Sequence, residues 1–328
     1  MEGYEENKLG MGELTLDEVK LIAEAGKRLG IKAYKITGGE PTLREDLVDI
    51  VRILKSYGSY VSITTNASLL HKHLEGLVEV GVDHVNISLH AISPHVFRVV
   101  TGTDLHKRTI ENLYLARDYG IKLKINFVVL KEMNEEDISR VIDLASELDA
   151  SVQFIELHPV GRAVKIYKKH RLPRWKVLEI LEDRVVEIKY RIGLHNRPVL
   201  LLDNGVKVEL VGPVGNFLFC AGCTRIRVTY DFKLIPCLNW RGPAVEVRPL
   251  LESARSFDEK IEVVIRAIKE ANSMREPFVK YPAKPVSIVK PSRDEDLRIG
   301  IPKKDGRIDT FSETKRYRRR DIGYTELV

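Results

Sequence analysis

Thr15-Leu16-Asp17-Glu18 has the form of a capping box, with Val19, Ile22, Ala23, Ala25 and Leu29 as the apolar stripe of the helix behind it. The run 33–37 reads as a strand that stops at Gly38-Gly39. A helix over about 45–57 then leads to a strand over 60–65, and loop and helix over 66–80 lead to a strand over 83–89. After Pro94, helical segments precede a strand over 122–130; Asn134 is expected to cap the next helix, and 152–157 is the next strand.

Five β-like runs separated by helices predict an α/β fold of parallel strands joined by right-handed crossovers. A doubly wound sheet would satisfy that pattern, but the polar residues favour a barrel. Thr37, Thr64-Thr65-Asn66, Ser88 with His90, Lys124 with Asn126, and Glu156 with His158 fall near or beyond the ends of successive strands. In an α/β barrel the loops at those ends converge on one mouth, where ligands bind. Neither a dinucleotide-binding G-x-G-x-x-G nor a Walker phosphate loop is present.

The composition changes near Gly161. A helix over about 174–182, β-like runs over 185–192, 198–202 and 206–211, the cysteines and a helix over about 257–272 come next. Three regions are expected: a partial barrel over 1–160, a smaller C-terminal region over 161–279, and a basic tail over 280–328. The chain carries a formal charge of +6, and the tail holds thirteen Lys and Arg against eight Asp and Glu. Its prolines at 282, 285, 291 and 302 interrupt any helix, so a solvated, partly disordered extension is expected rather than a nucleic-acid arm. No stretch approaches 18 apolar residues and the first residues are polar and acidic, so neither a membrane span nor a secretory signal is expected, and a cytoplasmic protein is.

Three cysteines occur, Cys220, Cys223 and Cys237, in the spacing C-x2-C-x13-C. An odd, clustered set reads as a metal site before a disulfide framework. Spacing alone leaves zinc and an iron–sulfur cluster both open; the nearest histidine in sequence, His195, lies 25 residues upstream of Cys220. Three ligands without an obvious fourth leave one metal position open to a substrate. Arg225 and Arg227, two apart on an expected strand, share one face and could clamp phosphates, although an arginine pair by itself is more often a surface feature. Gly38-Gly39-Glu40-Pro41 would let backbone approach a ligand closely, with Glu40 able to receive an ammonium.

Taken in order, Ile36-Thr-Gly-Gly-Glu-Pro-Thr-Leu-Arg44, Ile63-Thr-Thr-Asn66, Val85-Asn-Ile-Ser-Leu89, Lys124-Ile-Asn126, Phe154-Ile-Glu-Leu-His-Pro-Val-Gly161 and the cysteine block resemble the GTP 3′,8-cyclase family. These are radical S-adenosylmethionine (SAM) enzymes that start molybdenum-cofactor biosynthesis. The resemblance implies an incomplete, six-stranded α/β barrel of TIM type, closed by a C-terminal region with an auxiliary [4Fe-4S] cluster on Cys220, Cys223 and Cys237. It also implies conversion of GTP to (8S)-3′,8-cyclo-7,8-dihydroguanosine 5′-triphosphate. By motif, Gly39, Glu40, Ser88 and His158 fall at SAM-binding positions, and Lys35, Thr64, Lys124, Arg225 and Arg227 at GTP-binding positions. The two arginines are also implicated in the cyclisation. The family further implies a downstream cyclic pyranopterin monophosphate synthase as pathway partner and is compatible with a homodimer.

The sequence departs from the family at both ends. It opens on Met1-Glu2-Gly3-Tyr4, which resembles residues just past the family's C-x3-C-x2-C motif, so the ligands of the SAM-cleaving cluster are absent. A truncated N-terminus and an inactive chain are therefore expected. It ends Thr325-Glu-Leu-Val328 in place of the family's Gly-Gly pair. A non-catalytic GTP- or metal-binding paralogue is the alternative, as is another radical SAM enzyme whose auxiliary cluster serves a peptide.

Overall fold

The first helix, Leu16–Arg28, starts on the expected capping box: Glu18 N donates to Thr15 Oγ1 at 3.2 Å and Thr15 N donates to the Glu18 carboxylate at 2.8 Å. Its buried stripe reaches the first strand through Gly26, where a methyl group would overlap the hydroxyl of the fully buried Tyr34. The computed structural model describes residues 12–161, 163–192, 194–214, 216–276 and 324–327.

Among the described residues twelve strands make one sheet. They are β1 (Ala33–Ile36), β2 (Tyr60–Thr65), β3 (His84–Ser88), β4 (Leu123–Val129), β5 (Ser151–Glu156), β6 (Val185–Arg191), β7 (Arg197–Leu202), β8 (Lys207–Val211), β9 (Arg225–Val228), β10 (Lys233–Ile235), β11 (Val245–Glu246) and β12 (Tyr324–Leu327). Their order is β11-β10-β9-β12-β1-β2-β3-β4-β5-β8-β7-β6. From β9 through β8 every neighbouring pair is parallel, and antiparallel strands finish both edges. The sheet curls, since one cavity is lined by β1 to β5, by Arg225 of β9 and by Arg191 and Arg197 from the opposite edge. The two edge strands β11 and β6 do not pair, so the result is an incomplete α/β barrel.

Period two explains the layering. On β2 to β4, residues such as Val61, Ile63, Val85, Ile87, Ile125 and Phe127 are fully buried on the helix-facing side. The residues between them, Ser62, Thr64, Asn86, Ser88, Lys124 and Asn126, form the concave face. A barrel interior filled with branched apolar residues would be solid core; this one is polar and leaves room for a ligand.

The C-terminal region extends the same sheet: β8 pairs with β5, and β9 lies beyond β12. The tail contributes β12, a strand with no counterpart among the expected runs; the remainder of the tail lies outside the described residues. Two local expectations are corrected. Asn134 does not cap the helix Ile138–Glu147; its side chain accepts from Leu130 N at 2.6 Å and donates to His90 O and Val128 O, pinning the turn after β4. Glu156 does not sit at the mouth, because it shares the helix-facing side with Phe154, where it accepts from Arg171 Nε at 2.5 Å and from Arg174 N.

Candidate active site

The concave face has two ends with different chemistry. At the amino ends of the strands lies a cavity of about 600 Å³, within the range of small-molecule sites. Lys32, Lys35, Lys122 and Lys124 line it together with Arg191, Arg197 and Arg225, and no Asp or Glu does so. The neutral lining includes Ser62, His84, Asn86 and Gln153. Lys35, Lys124 and Arg225 are thus brought together as expected, whereas Thr64 and Arg227 stand further along their strands, off the cavity wall.

Behind the wall sits a carboxylate. Glu209 of β8 pairs in register with Gln153 of β5, and accepts from Lys124 Nζ at 2.6 Å and Arg191 Nη1 at 2.7 Å, with Arg197 Nη1 at 3.0 Å. Burial raises the Glu209 pKa, but the cations outweigh it and hold it at about 2, so the carboxylate stays charged. Lys124 is lowered by burial, against the pull of Glu209, with Arg191 and Arg197 adding repulsion. Burial, then Lys124 and Lys35, hold His84 at about 4 and therefore neutral.

At the carboxyl ends of the strands the groups are mostly uncharged. Gly38 takes φ 139°, open to glycine, and a side chain at Gly39 would meet no atom, so the backbone there faces open space. Glu40 is already engaged: its carboxylate accepts from Thr42 N, Thr42 Oγ1, Thr65 Oγ1 and Asn66 N, tying this loop to the end of β2. These bonds hold the loop in shape. Ser88 lies in register with Asn126. The buried atoms Ser62 Oγ, Thr64 Oγ1 and Asn126 Oδ1 have no hydrogen-bond partner among the described residues, as expected of a face that meets a ligand or water. His158 Nε2 meets Asn239 Oδ1 at 2.6 Å. Burial lowers its pKa, and Arg227 and Arg241 push the same way.

Asn239 leads to the cysteines, since its N–H points at Cys237 Sγ at 3.4 Å. Cys220 lies in the last turn of the short helix Phe217–Ala221, and Cys223 N donates to Cys220 O at 3.1 Å in the following turn. Burial raises the Cys237 thiol pKa, with Cys223 close enough to add to it and Arg227 and Arg275 opposing. Arg275 Nη1 donates to Cys223 Sγ at 3.3 Å and its Nη2 to Arg225 O. Among the described residues no three His, Cys, Asp or Glu side chains are gathered to hold an ion. The donor chemistry nonetheless suits a thiophilic cluster: three thiols within residues 220–237, with Arg275 on Cys223 and Arg227 acting on Cys237 to offset negative charge.

Sequence reasoning missed Arg191, Arg197 and Glu209. A weak signal existed in 207–211, where Lys207 and Glu209 alternate with Val208 and Leu210 and so share one face of the strand.

A sequence model of the radical SAM superfamily matches residues 4–145, and one for the C-terminal region of molybdenum cofactor synthesis proteins matches 150–280. A probable GTP 3′,8-cyclase of Aeropyrum pernix is 38% identical over 267 residues, covering 80% of this chain and 74% of that protein. Another from Saccharolobus islandicus is 41% identical over 272 residues, covering 82% and 87%. Among solved structures, Streptococcus suis SuiB bound to S-adenosylmethionine superposes with a TM-score of 0.56 at 16% identity, over 79% of this chain and 60% of that one, a likeness of fold.

Proposed function

The chain belongs to the GTP 3′,8-cyclase family of molybdenum-cofactor biosynthesis, and on that premise we propose that its cationic cavity receives the triphosphate of GTP. The cavity's charge supports this reading above all: seven lysines and arginines line it and no carboxylate does. Lys35, Lys124 and Arg225 neutralise phosphate oxygens, and burial strengthens each contact relative to water. Thr64 and Arg227, further along the same face, take the nucleoside side of the ligand and orient the sugar toward the carboxyl ends of the strands. There the backbone at Gly39 together with Ser88 and His158 receives SAM, in a loop that Glu40 holds in shape.

Radical SAM proteins use SAM and a [4Fe-4S] cluster. All three cysteines lie between 220 and 237, so the residues present do not fit the SAM-cleaving cluster, and none of them can be its ligand. They do fit the auxiliary one: Cys220, Cys223 and Cys237 would hold it, and when bound it supplies an open iron for the guanine. Around it Arg225 and Arg227 bind and orient the nucleotide. In a protein that also carries the SAM-cleaving cluster, the product would pass to a cyclic pyranopterin monophosphate synthase in the cytoplasm. No helix among the described residues is long and apolar enough to cross a membrane.

Calorimetry with GTP, inorganic triphosphate and guanosine tests the reading. GTP and triphosphate should bind and guanosine should bind far more weakly, with affinity falling as salt rises. Equal binding of GTP and guanosine would remove the triphosphate from this cavity.

A further inference from the structure

The turn between β6 and β7 holds two consecutive non-glycine residues in the left-handed region, His195 at φ 62° and Asn196 at φ 49°. Such a backbone costs roughly 1–2 kcal/mol per residue and persists only where surrounding contacts hold it. Those contacts converge on one place. His195 N donates to Gly222 O at 2.7 Å, and the imidazole stacks on Phe219 with centroids 4.1 Å apart and planes at 15°. Asn196 Nδ2 donates to Leu218 O at 3.0 Å. A methyl group at Gly222 would stand 2.7–2.9 Å from the Asn196 amide atoms, so the loop carrying Cys220 and Cys223 is seated directly on this side chain. His195 is buried, with 4% of its surface exposed, and its Nδ1 has no hydrogen-bond partner among the described residues. A phenylalanine would stack as well without that cost, so fold stability alone does not account for an imidazole here.

From this juxtaposition we propose that His195 and Asn196 are positioning residues of the cysteine site: a strained corner that clamps the 218–222 segment so that Cys220 and Cys223 face one metal group. The proposal rests on reading the cysteines as cluster ligands and adds the element that orients them. Left-handed residues are common in hairpin turns, so it is the contacts made from this corner that set it apart. The corner places one backbone donor against Gly222, one side-chain amide against Leu218 and one ring against Phe219. Outer-shell groups of this kind commonly change metal affinity by 10–100-fold.

The test is anaerobic titration of the full chain with ferrous ion, followed by thiolate absorbance, on Asn196→Gly, Gly222→Ala, the double variant and His195→Phe. Asn196→Gly keeps the backbone conformation and loses the clamp; affinity should fall about tenfold with thermal stability close to that of the parent. Gly222→Ala should fall as far, and the double variant should be no weaker than Asn196→Gly, because the obstructing amide is gone. His195→Phe keeps the stack and should alter the absorbance spectrum without releasing the loop. Unchanged affinity in Asn196→Gly, or independent additive losses in the double variant, would overturn the corner's role. If the parent chain binds no ferrous ion, the cluster reading fails. The clamp is then read in metal-free protein by alkylation of Cys220 and Cys223: faster in Asn196→Gly supports it, and equal rates refute it.

Discussion

The two ends of the concave face are built from the same strands and yet present opposite characters. The amino ends carry lysines and arginines balanced from behind by one buried carboxylate. The carboxyl ends carry hydroxyls, glycine backbone and a glutamate consumed by its own loop. A sheet of parallel strands has only a small net dipole, so its backbone does not impose this difference. Side chains at alternate positions do, and a polyanion and a zwitterion can be held face to face without competing for the same groups.

Removing the balance at the amino end should have the largest effect. Glu209→Ala leaves Lys124, Arg191 and Arg197 without their shared partner, and should destabilise the fold by about 3–5 kcal/mol in denaturant titration. A change within error would mean that the cations do not depend on that carboxylate. Next, Lys35→Met should weaken GTP binding about tenfold and leave SAM affinity alone, while Ser88→Ala should weaken SAM binding a few-fold and leave GTP alone. Calorimetry with both ligands on both variants checks this; a variant that lowers both affinities would erase the division.

The smallest expected effect is shared by the two ends. Burial holds His84 and His90 at about 4, below their ordinary 6.5, and lowers His158 and His195 in the same direction. The unfolded chain therefore takes up protons first as pH falls. Stability present above pH 6.5 should be lost progressively toward pH 4. Glu209, at about 2 against 4.5, adds a second loss below pH 4.5. Thermal melts stepped from pH 7 to 4 should fall, and His84→Phe should flatten part of the decline. A level profile would contradict buried neutral histidines.

Much of this division is legible before folding. The ranges of β2 to β5 follow from period two and turn residues to within a residue or so, and so do the placements of Lys35, Thr64, Ser88 and Lys124. The chain beyond residue 161 is less readable. Arg191, Arg197 and Glu209 meet Lys124 only because β8 joins β5, a pairing between distant segments that no local periodicity announces. His195 lies 25 residues before Cys220 in sequence, yet its ring stacks within the cysteine loop, which depends on a backbone conformation that residue type alone does not signal. Glu156 shows the converse error: proximity to a strand's end does not say which face a side chain takes.

The position of β12 has its own consequence. It is held on both flanks by parallel backbone pairing, with Tyr34 opposite Thr325 on one side and Ile226 opposite Thr325 on the other. Residues 277–323 separate it from the helix Phe257–Ser273 and the short turn after that helix. The space between β1 and β9 is thus filled by extended chain, whose peptide N–H and C=O groups complete a ladder on each side that a proline would interrupt.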